Sequence, residues 1–203
     1  MLTQFDWATK PYNHRSATMP AGIKDKSLET VCRVHAPHDS LDQIVAQAES
    51  GELVLELSSF ESLTLFKEAK SHYDKFCLFR DQTIALDRTS QSVRMVSDKG
   101  LLSLVIGQMI ENVMEASPVG QTINAGCFVE QNCCTFWVLN KAVIPESAQQ
   151  NICNRDFSTK SQTRGLGTYG IKLLTQTYLK GQITFTSQPD PGTIVRATFP
   201  LEL

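Results

Sequence analysis

The sequence has no surplus of charge of either sign. Its 19 lysines and arginines stand against 21 aspartates and glutamates over 203 residues, a formal net charge of −2. No basic block breaks that balance, so a nucleic-acid partner is not expected. Long apolar runs are missing as well. The stretch 101–106 is typical of the longest, far short of the roughly 20 residues of a membrane span, so no membrane insertion by this chain is expected. The N-terminus, MLTQFDWATK, lacks the basic start and apolar stretch of a secretory signal. Six cysteines are present (Cys32, Cys77, Cys127, Cys133, Cys134 and Cys153), yet none forms a C-x-x-C pair. They read as free, mostly buried thiols in a reducing cytoplasm, with a zinc site or redox switch as the alternative. A G-x-x-x-x-G-K-[ST] run is also absent, which excludes the usual P-loop.

What is present is a balanced globular composition, 41% hydrophobic and 20% charged, long enough for one domain with an appendage. Residues 1–28 are polar and broken by Pro11, Pro20 and Gly22, and read as a flexible leader. Apolar residues at 41, 44, 45 and 48 define one face of a helix, with Ser40 as its cap and Gly51 as its stop. ELVLELSS alternates like a strand, 60–76 reads as an amphipathic helix, and QTIALDR and QSVRMVS read as strands. Asp98 opens a long helix that Pro118 and Gly120 close. QTINAGCFVEQNCCTFWVLN reads as two strands around an Asn-bearing turn. A short helix, the helix IKLLTQTYLKG, and two strands joined by PDPG complete the chain. Frequent hairpin signals argue for a mixed, mostly antiparallel sheet with helices on one face, an α+β fold rather than a doubly wound one.

Two stretches can carry chemistry. On the long helix, Gln108, Asn112 and Glu115 share a face separate from the apolar one of Leu102, Val105, Ile106, Met109 and Val113. Such a stripe is either solvated surface or a site. The Asn112 carbonyl oxygen is a hard, neutral ligand suited to Mg²⁺ already held by phosphates. The second stretch, Gly165-Leu166-Gly167-Thr168-Tyr169-Gly170, fits G-x-G-x-x-G but follows an irregular polar run instead of a strand, which argues against a dinucleotide fold. It is either a ligand-free glycine loop or an anion cradle at a helix start, with Lys160 and Arg164 adding positive charge.

Four blocks occur in a telling order: IGQMIENVMEAS, FWVLNKAVIPESAQQ, ICNRDFSTK and RGLGTYGIKLL, followed by GTIVRATFPL. In that order they resemble the N-box, first glycine box, phenylalanine box, second glycine box and closing Gly-Thr strand of the ATP-binding domain of sensor histidine kinases. That domain belongs to the GHKL superfamily, shared with gyrase and the ATP-dependent heat-shock chaperones. The resemblance spans about 52–203. It implies a two-layer α/β sandwich of the Bergerat type over 51–203, preceded by a leader and short helix, 1–50, the remnant of a dimerisation hairpin. It implies ATP and Mg²⁺ as ligands, with Asn112 as the metal ligand. The implied ATP-binding set is Asn112, Asn140, Ala142, Ile144, Lys160, Arg164, Gly165, Leu166, Gly167, Thr168 and Thr193. A mobile lid would cover residues 145–164.

This sequence departs from the family pattern at two places. Asn140 stands where the family carries an adenine-binding aspartate, and Ala142 follows where a glycine is usual. An asparagine oxygen still accepts, at a loss of about 1 kcal/mol for the missing charge. Gln108 replaces the glutamate of the hydrolysing members and cannot act as a general base, which leaves Glu111 as the substitute to consider. No dimerising hairpin with a phosphoacceptor fits before residue 51. His38 follows Pro37 and reads as a surface histidine, and His72 as structural. The expected function is therefore transfer of the ATP γ-phosphoryl group to a histidine on another chain, or to a serine as in anti-sigma-factor kinases. A phosphoacceptor protein or response regulator would be supplied in trans, in the cytoplasm. The alternative is a degenerate, non-catalytic or nucleotide-switched regulator that binds a partner.

Overall fold

The computed structural model describes residues 41–149 and 166–203. The first helix among the described residues, α1 (Leu41–Ser50), buries Val45 and Ala48. It ends in a Schellman motif: Gly51 takes φ 75°, the Gly51 N–H donates to Ala48 O and the Glu52 N–H to Gln47 O. Helix α2 (Ser62–Phe79) buries Leu65, Phe66, Ala69 and Cys77. Helix α3 (Lys99–Ala116) begins at Asp98, whose Oδ1 accepts from the Leu101 N–H at 2.9 Å. The other oxygen of Asp98 accepts from the Glu56 N–H at 2.8 Å, so one carboxylate fixes both the helix start and the chain that leads into the first strand.

The described strands form two sheets. β1 (Leu57–Glu61) pairs antiparallel with β3 (Arg94–Asp98). The larger sheet holds β2 (Thr83–Leu86), β4 (Thr122–Glu130), β5 (Cys133–Asn140), β6 (Gln182–Gln188) and β7 (Gly192–Pro200) in the order β2-β4-β5-β7-β6. Only β2 and β4 run parallel within it. The two strands on either side of the 87–93 turn thus join different sheets. Gln131 and Asn132, both left-handed at φ 48° and 62°, make the two-residue connection of the β4–β5 hairpin.

Period-two burial sets the layers. Ile123, Ala125 and Cys127 of β4, Cys134, Phe136 and Val138 of β5, and Ala197 and Phe199 of β7 all face the helices. Phe66 stacks on Phe136 with centroids 5.9 Å apart, and Phe136 meets Phe199 at 6.2 Å. Leu102, Ile106, Met109 and Ile110 of α3 complete this core. The result is an open, mixed sheet with helices on one face, the two-layer sandwich expected from the sequence. A short α4 (Glu146–Gln149) follows β5. Helix α5 (Leu166–Leu173) runs directly into a π-helical turn, Leu174–Tyr178.

Candidate functional site

The site is built on the solvent-side stripe of α3. Gln108 and Asn112 are half-buried, while their neighbours Met109, Ile110 and Val113 are in the core. Gln108 Nε2 donates to Glu111 Oε2 at 2.9 Å, which turns its carbonyl oxygen toward α5. There it meets the glycine-rich segment. A β-carbon added to Gly167 would stand 3.5 Å from Gln108 Oε1 and 3.7 Å from Asn112 Oδ1. The backbone at the start of α5 therefore lies directly over both amides, with no side chain of its own between them.

The other end of the site lies at the last residue of β5. Asn140 is 2% exposed. Its Nδ2 donates to Val113 O at 3.2 Å and to Ser117 Oγ at 2.9 Å. A backbone carbonyl only accepts, so the amide is locked with nitrogen toward α3. Its Oδ1 is buried and accepts no hydrogen bond from the described residues. A buried acceptor without a donor costs about 1–3 kcal/mol, and an amino group brought by a ligand would remove that cost. Asn112, with its hard oxygen, lies about 7.5 Å along the helix axis from Ser117, the residue that holds the Asn140 amide with its orphaned acceptor.

The segment after β5 is fastened to the β6–β7 hairpin by a relay of hydroxyls. The Ile144 N–H donates to Ser187 Oγ, Ser187 Oγ pairs with Thr193 Oγ1, and Thr193 Oγ1 donates to Ala142 O, each at 2.7 Å. Gln149 Nε2 closes the loop onto Ile144 O at 2.9 Å. Gly192 sits at φ 118°, and a β-carbon there would overlap Asn140 O. The close approach of the two backbones at this point requires glycine.

Of the residues singled out in the sequence, Asn112 and Gly167 come together at one end. Asn140, Ala142, Ile144 and Thr193 come together at the other. Thr168 is half-buried on α5, and Leu166 opens that helix. Lys160, Arg164, Gly165, His38 and most of the expected lid lie outside the described residues. Two participants were not anticipated. Ser117 orients Asn140, and its position one turn beyond Val113 on the apolar face was the available signal. Ser187, which anchors the strap, sits in an ordinary alternating strand and gave none.

Behind α3, burial and the Glu111 carboxylate push the Tyr73 phenol well above its ordinary range. It stays neutral against Gly107. Among the described residues no group of three or more His, Cys, Asp or Glu could hold a metal. A metal here would rely on the single amide oxygen of Asn112 and on oxygens that arrive with a ligand. A cavity of about 290 Å³, lined by Phe128, Cys133, Thr135 and Arg196 among others, opens on the far side of the sheet and is separate from this site. No helix among the described residues is long and apolar enough to cross a membrane.

The family model for the histidine kinase-, DNA gyrase B-, and HSP90-like ATPase matches residues 97–203. The chain is similar to the catalytic domain of histidine kinase ThkA in a nucleotide-free form. Identity there is 19%, over 73% of this chain and 97% of that one, with a TM-score of 0.67. It is similar to the Acinetobacter baumannii histidine kinase AdeS at 15% identity, over 79% of this chain and 75% of that one, with a TM-score of 0.65. ThkA in complex with the response regulator TrrA matches at 19% identity, over 79% of this chain and 47% of that one, with a TM-score of 0.63. No curated protein matches the chain. At these identities the solved structures show a shared fold.

Proposed function

We propose a function from one premise: the chain belongs to the family of histidine kinase-, DNA gyrase B- and HSP90-like ATPases. It carries a nucleotide-binding domain of the kinase-like kind. Our reading is that it binds ATP with Mg²⁺ and directs the γ-phosphoryl group to a histidine on another chain, in the cytoplasm. The observation that carries this reading is the approach of Gly167 to Asn112, because it joins a glycine-lined helix start to a hard oxygen ligand.

The residues fit the nucleotide. The buried, unsatisfied Asn140 Oδ1 is an acceptor suited to the adenine amino group, held in orientation by Ser117 and Val113. Asn112 would hold the magnesium, and the open backbone at Gly167 and Thr168, with Lys160 and Arg164, would meet the phosphates. Ala142, Ile144 and Thr193 shape the strap beside the base, and the Thr193 hydroxyl serves the strap itself. Bound ATP supplies an activated phosphoryl group. The chain's own residues orient the triphosphate and keep it from water.

Gln108 cannot take a proton, so it activates no water molecule for hydrolysis, and the carboxylate beside it, Glu111, is engaged by the Gln108 amide at 2.9 Å. Transfer then needs an acceptor from outside, and a response regulator or phosphoacceptor protein in trans fits that requirement. ThkA bound to TrrA is a related fold in such company.

Thermal unfolding with and without Mg-ATP tests the reading. A hundredfold excess over Kd should stabilise the fold by about 2.7 kcal/mol. Absence of any shift at millimolar nucleotide would instead favour a partner-binding regulator that no longer uses ATP. With binding in hand, transfer of labelled phosphate to a candidate acceptor separates a kinase from a nucleotide switch.

A further inference from the structure

Helix α5 is held along two adjoining strips of its surface, about 60° apart around the axis. At Gly167 it lies over the amides of Gln108 and Asn112. At Gly170 it receives α1, and the contact is close: a β-carbon at Gly170 would stand 2.8 Å from Val45 Cγ2 and 3.2 Å from Leu41 Cδ1. Val45 is 1% exposed and β-branched, so its side chain has little freedom to swing aside. Two hydroxyls tie the helices together. Tyr169 Oη donates to Glu49 Oε1 at 2.9 Å, and Tyr178 Oη donates to Ala48 O at 2.7 Å.

The π-helical turn explains how both tyrosines reach one partner. In an unbroken α-helix, residues nine apart point about 180° away from each other. The extra residue of a π turn removes roughly one step of that rotation and swings Tyr178 back toward the side Tyr169 faces. Gly167 and Gly170 are three residues apart in a single short helix, about 4.5 Å along its axis. Displacement at one is carried to the other, because a packed helix moves as a body.

We propose that α1 controls the nucleotide site: docked on α5, it holds the start of that helix over Asn112 in the binding-competent position, and its release weakens nucleotide binding. Val45 and Gly170 are then positioning residues that act through Gly167 and touch no ligand. A partner that captured the apolar face of α1 would lower nucleotide affinity from outside the site. This inference rests on the ATP/Mg²⁺ reading above.

The test uses the full chain and three variants: Gly170→Ala, Val45→Ala, and the two combined. The methyl group that Gly170→Ala adds favours the helix while pressing α1 outward, so weaker binding cannot be ascribed to loss of α5. Calorimetry should show Gly170→Ala binding Mg-ATP at least about fivefold more weakly than the wild type. Hydrogen exchange should quicken over residues 41–50 in the same variant. Adding Val45→Ala should restore both toward wild type, because the smaller side chain accepts the new methyl. Tyr169→Phe, a surface change that leaves the core untouched, should show a milder loss of the same kind. Unchanged affinity in both Gly170→Ala and Tyr169→Phe overturns the proposal. So does weaker binding without faster exchange in α1, which would locate the effect in α5 itself. A wild-type chain that fails to bind Mg-ATP is a different result: it removes the nucleotide reading, and the inference falls with it.

Discussion

Asn140 Nδ2 donates to Ser117 Oγ at 2.9 Å, and Ser117 Oγ donates on to Val113 O at 2.6 Å. The last residue of β5 and the last turn of α3 are thereby one hydrogen-bonded unit. The unit leaves the Asn140 Oδ1 without a donor among the described residues. This is a fold that tolerates an unmet acceptor where a base is expected, and the arrangement separates stability from binding.

Ser117→Ala removes a hydroxyl that touches no ligand in this reading. Val113 O keeps the Ser117 N–H at 3.0 Å and the Asn140 amide, so the loss of stability should be about 1 kcal/mol. The Asn140 amide, held then by one bond, loses its fixed direction, and Mg-ATP affinity should fall as well. Asn140→Ala should lower affinity further, by about tenfold or more, since it removes the acceptor outright. Urea unfolding and calorimetry on both variants check the two quantities separately. An Asn140→Ala chain that binds Mg-ATP like the wild type would remove this residue from the base site.

Gly192→Ala should be among the most damaging single changes in the chain. The residue sits at φ 118°, and a methyl there meets the backbone of Asn140 and Lys141 rather than a side-chain end that could move. Strained backbone plus overlap with a strand should cost about 3 kcal/mol or more. The urea midpoint measures it directly. A loss under about 1 kcal/mol would mean that the β5 end and the β6–β7 hairpin are less tightly joined than this contact implies.

The parts of the fold that were legible in the sequence are those whose signals are local. Asp98 as a helix cap, Gly51 as a stop, and the apolar faces of 41–50 and 99–116 follow from short-range chemistry. The strand pairings carry no such local signal. QTIALDR and QSVRMVS read as two strands separated by a polar turn, with no sign of their partners: β2 pairs with β4 and β3 with β1, because burial on a shared face decides partners and sequence distance does not. The π turn at 174–178 was invisible, since IKLLTQTYLKG has an ordinary helical period and the insertion shows only where Tyr178 reaches α1. In the candidate site, Asn112 stood out by the chemistry of its amide and its place in the stripe, and the structure sets it beside Gly167. The hydroxyl relay from Ile144 to Ala142 required knowing that β6 and β7 return beside β5.

Tyr73 should make the fold sensitive to alkali. Burial, and then the negative charge of Glu111, raise its folded pKa above the unfolded value of 10.0. The folded chain therefore holds the phenol proton after the unfolded chain has released it. The stabilisation is complete below about pH 10 and is lost as pH climbs beyond it, by at most about 1.4 kcal/mol per pH unit. Tyr73→Phe keeps the ring and deletes the proton, so its stability should fall less between about pH 9 and 11. Parallel urea titrations of the two chains at those pH values give the comparison. Identical slopes would show that the hydroxyl is hydrated in the folded state.

Gln108→Glu should convert a site that holds nucleotide into one that hydrolyses it. The new carboxylate would replace an amide that now donates to Glu111 Oε2 at 2.9 Å. Two carboxylates at that distance cannot both ionise easily, so they share a proton and one of them titrates nearer neutrality. A carboxylate of that kind, on the helix face that Gly167 covers, is placed to accept a proton from an attacking water. General-base catalysis contributes about 10²–10⁴ in rate where geometry allows it, so a rise of at least about tenfold in phosphate release is expected. The shared proton also has a signature in stability. The pair's raised pKa makes the variant most stable at low pH, and its deficit against the wild type should widen as pH rises through neutrality. Phosphate-release assays from about pH 6 to 8, with Mg-ATP affinity measured alongside, test both effects. Retained affinity with no gain in hydrolysis would show that the Gln108 position does not face the water that attacks the γ-phosphate, and the polar stripe of α3 would then serve binding alone.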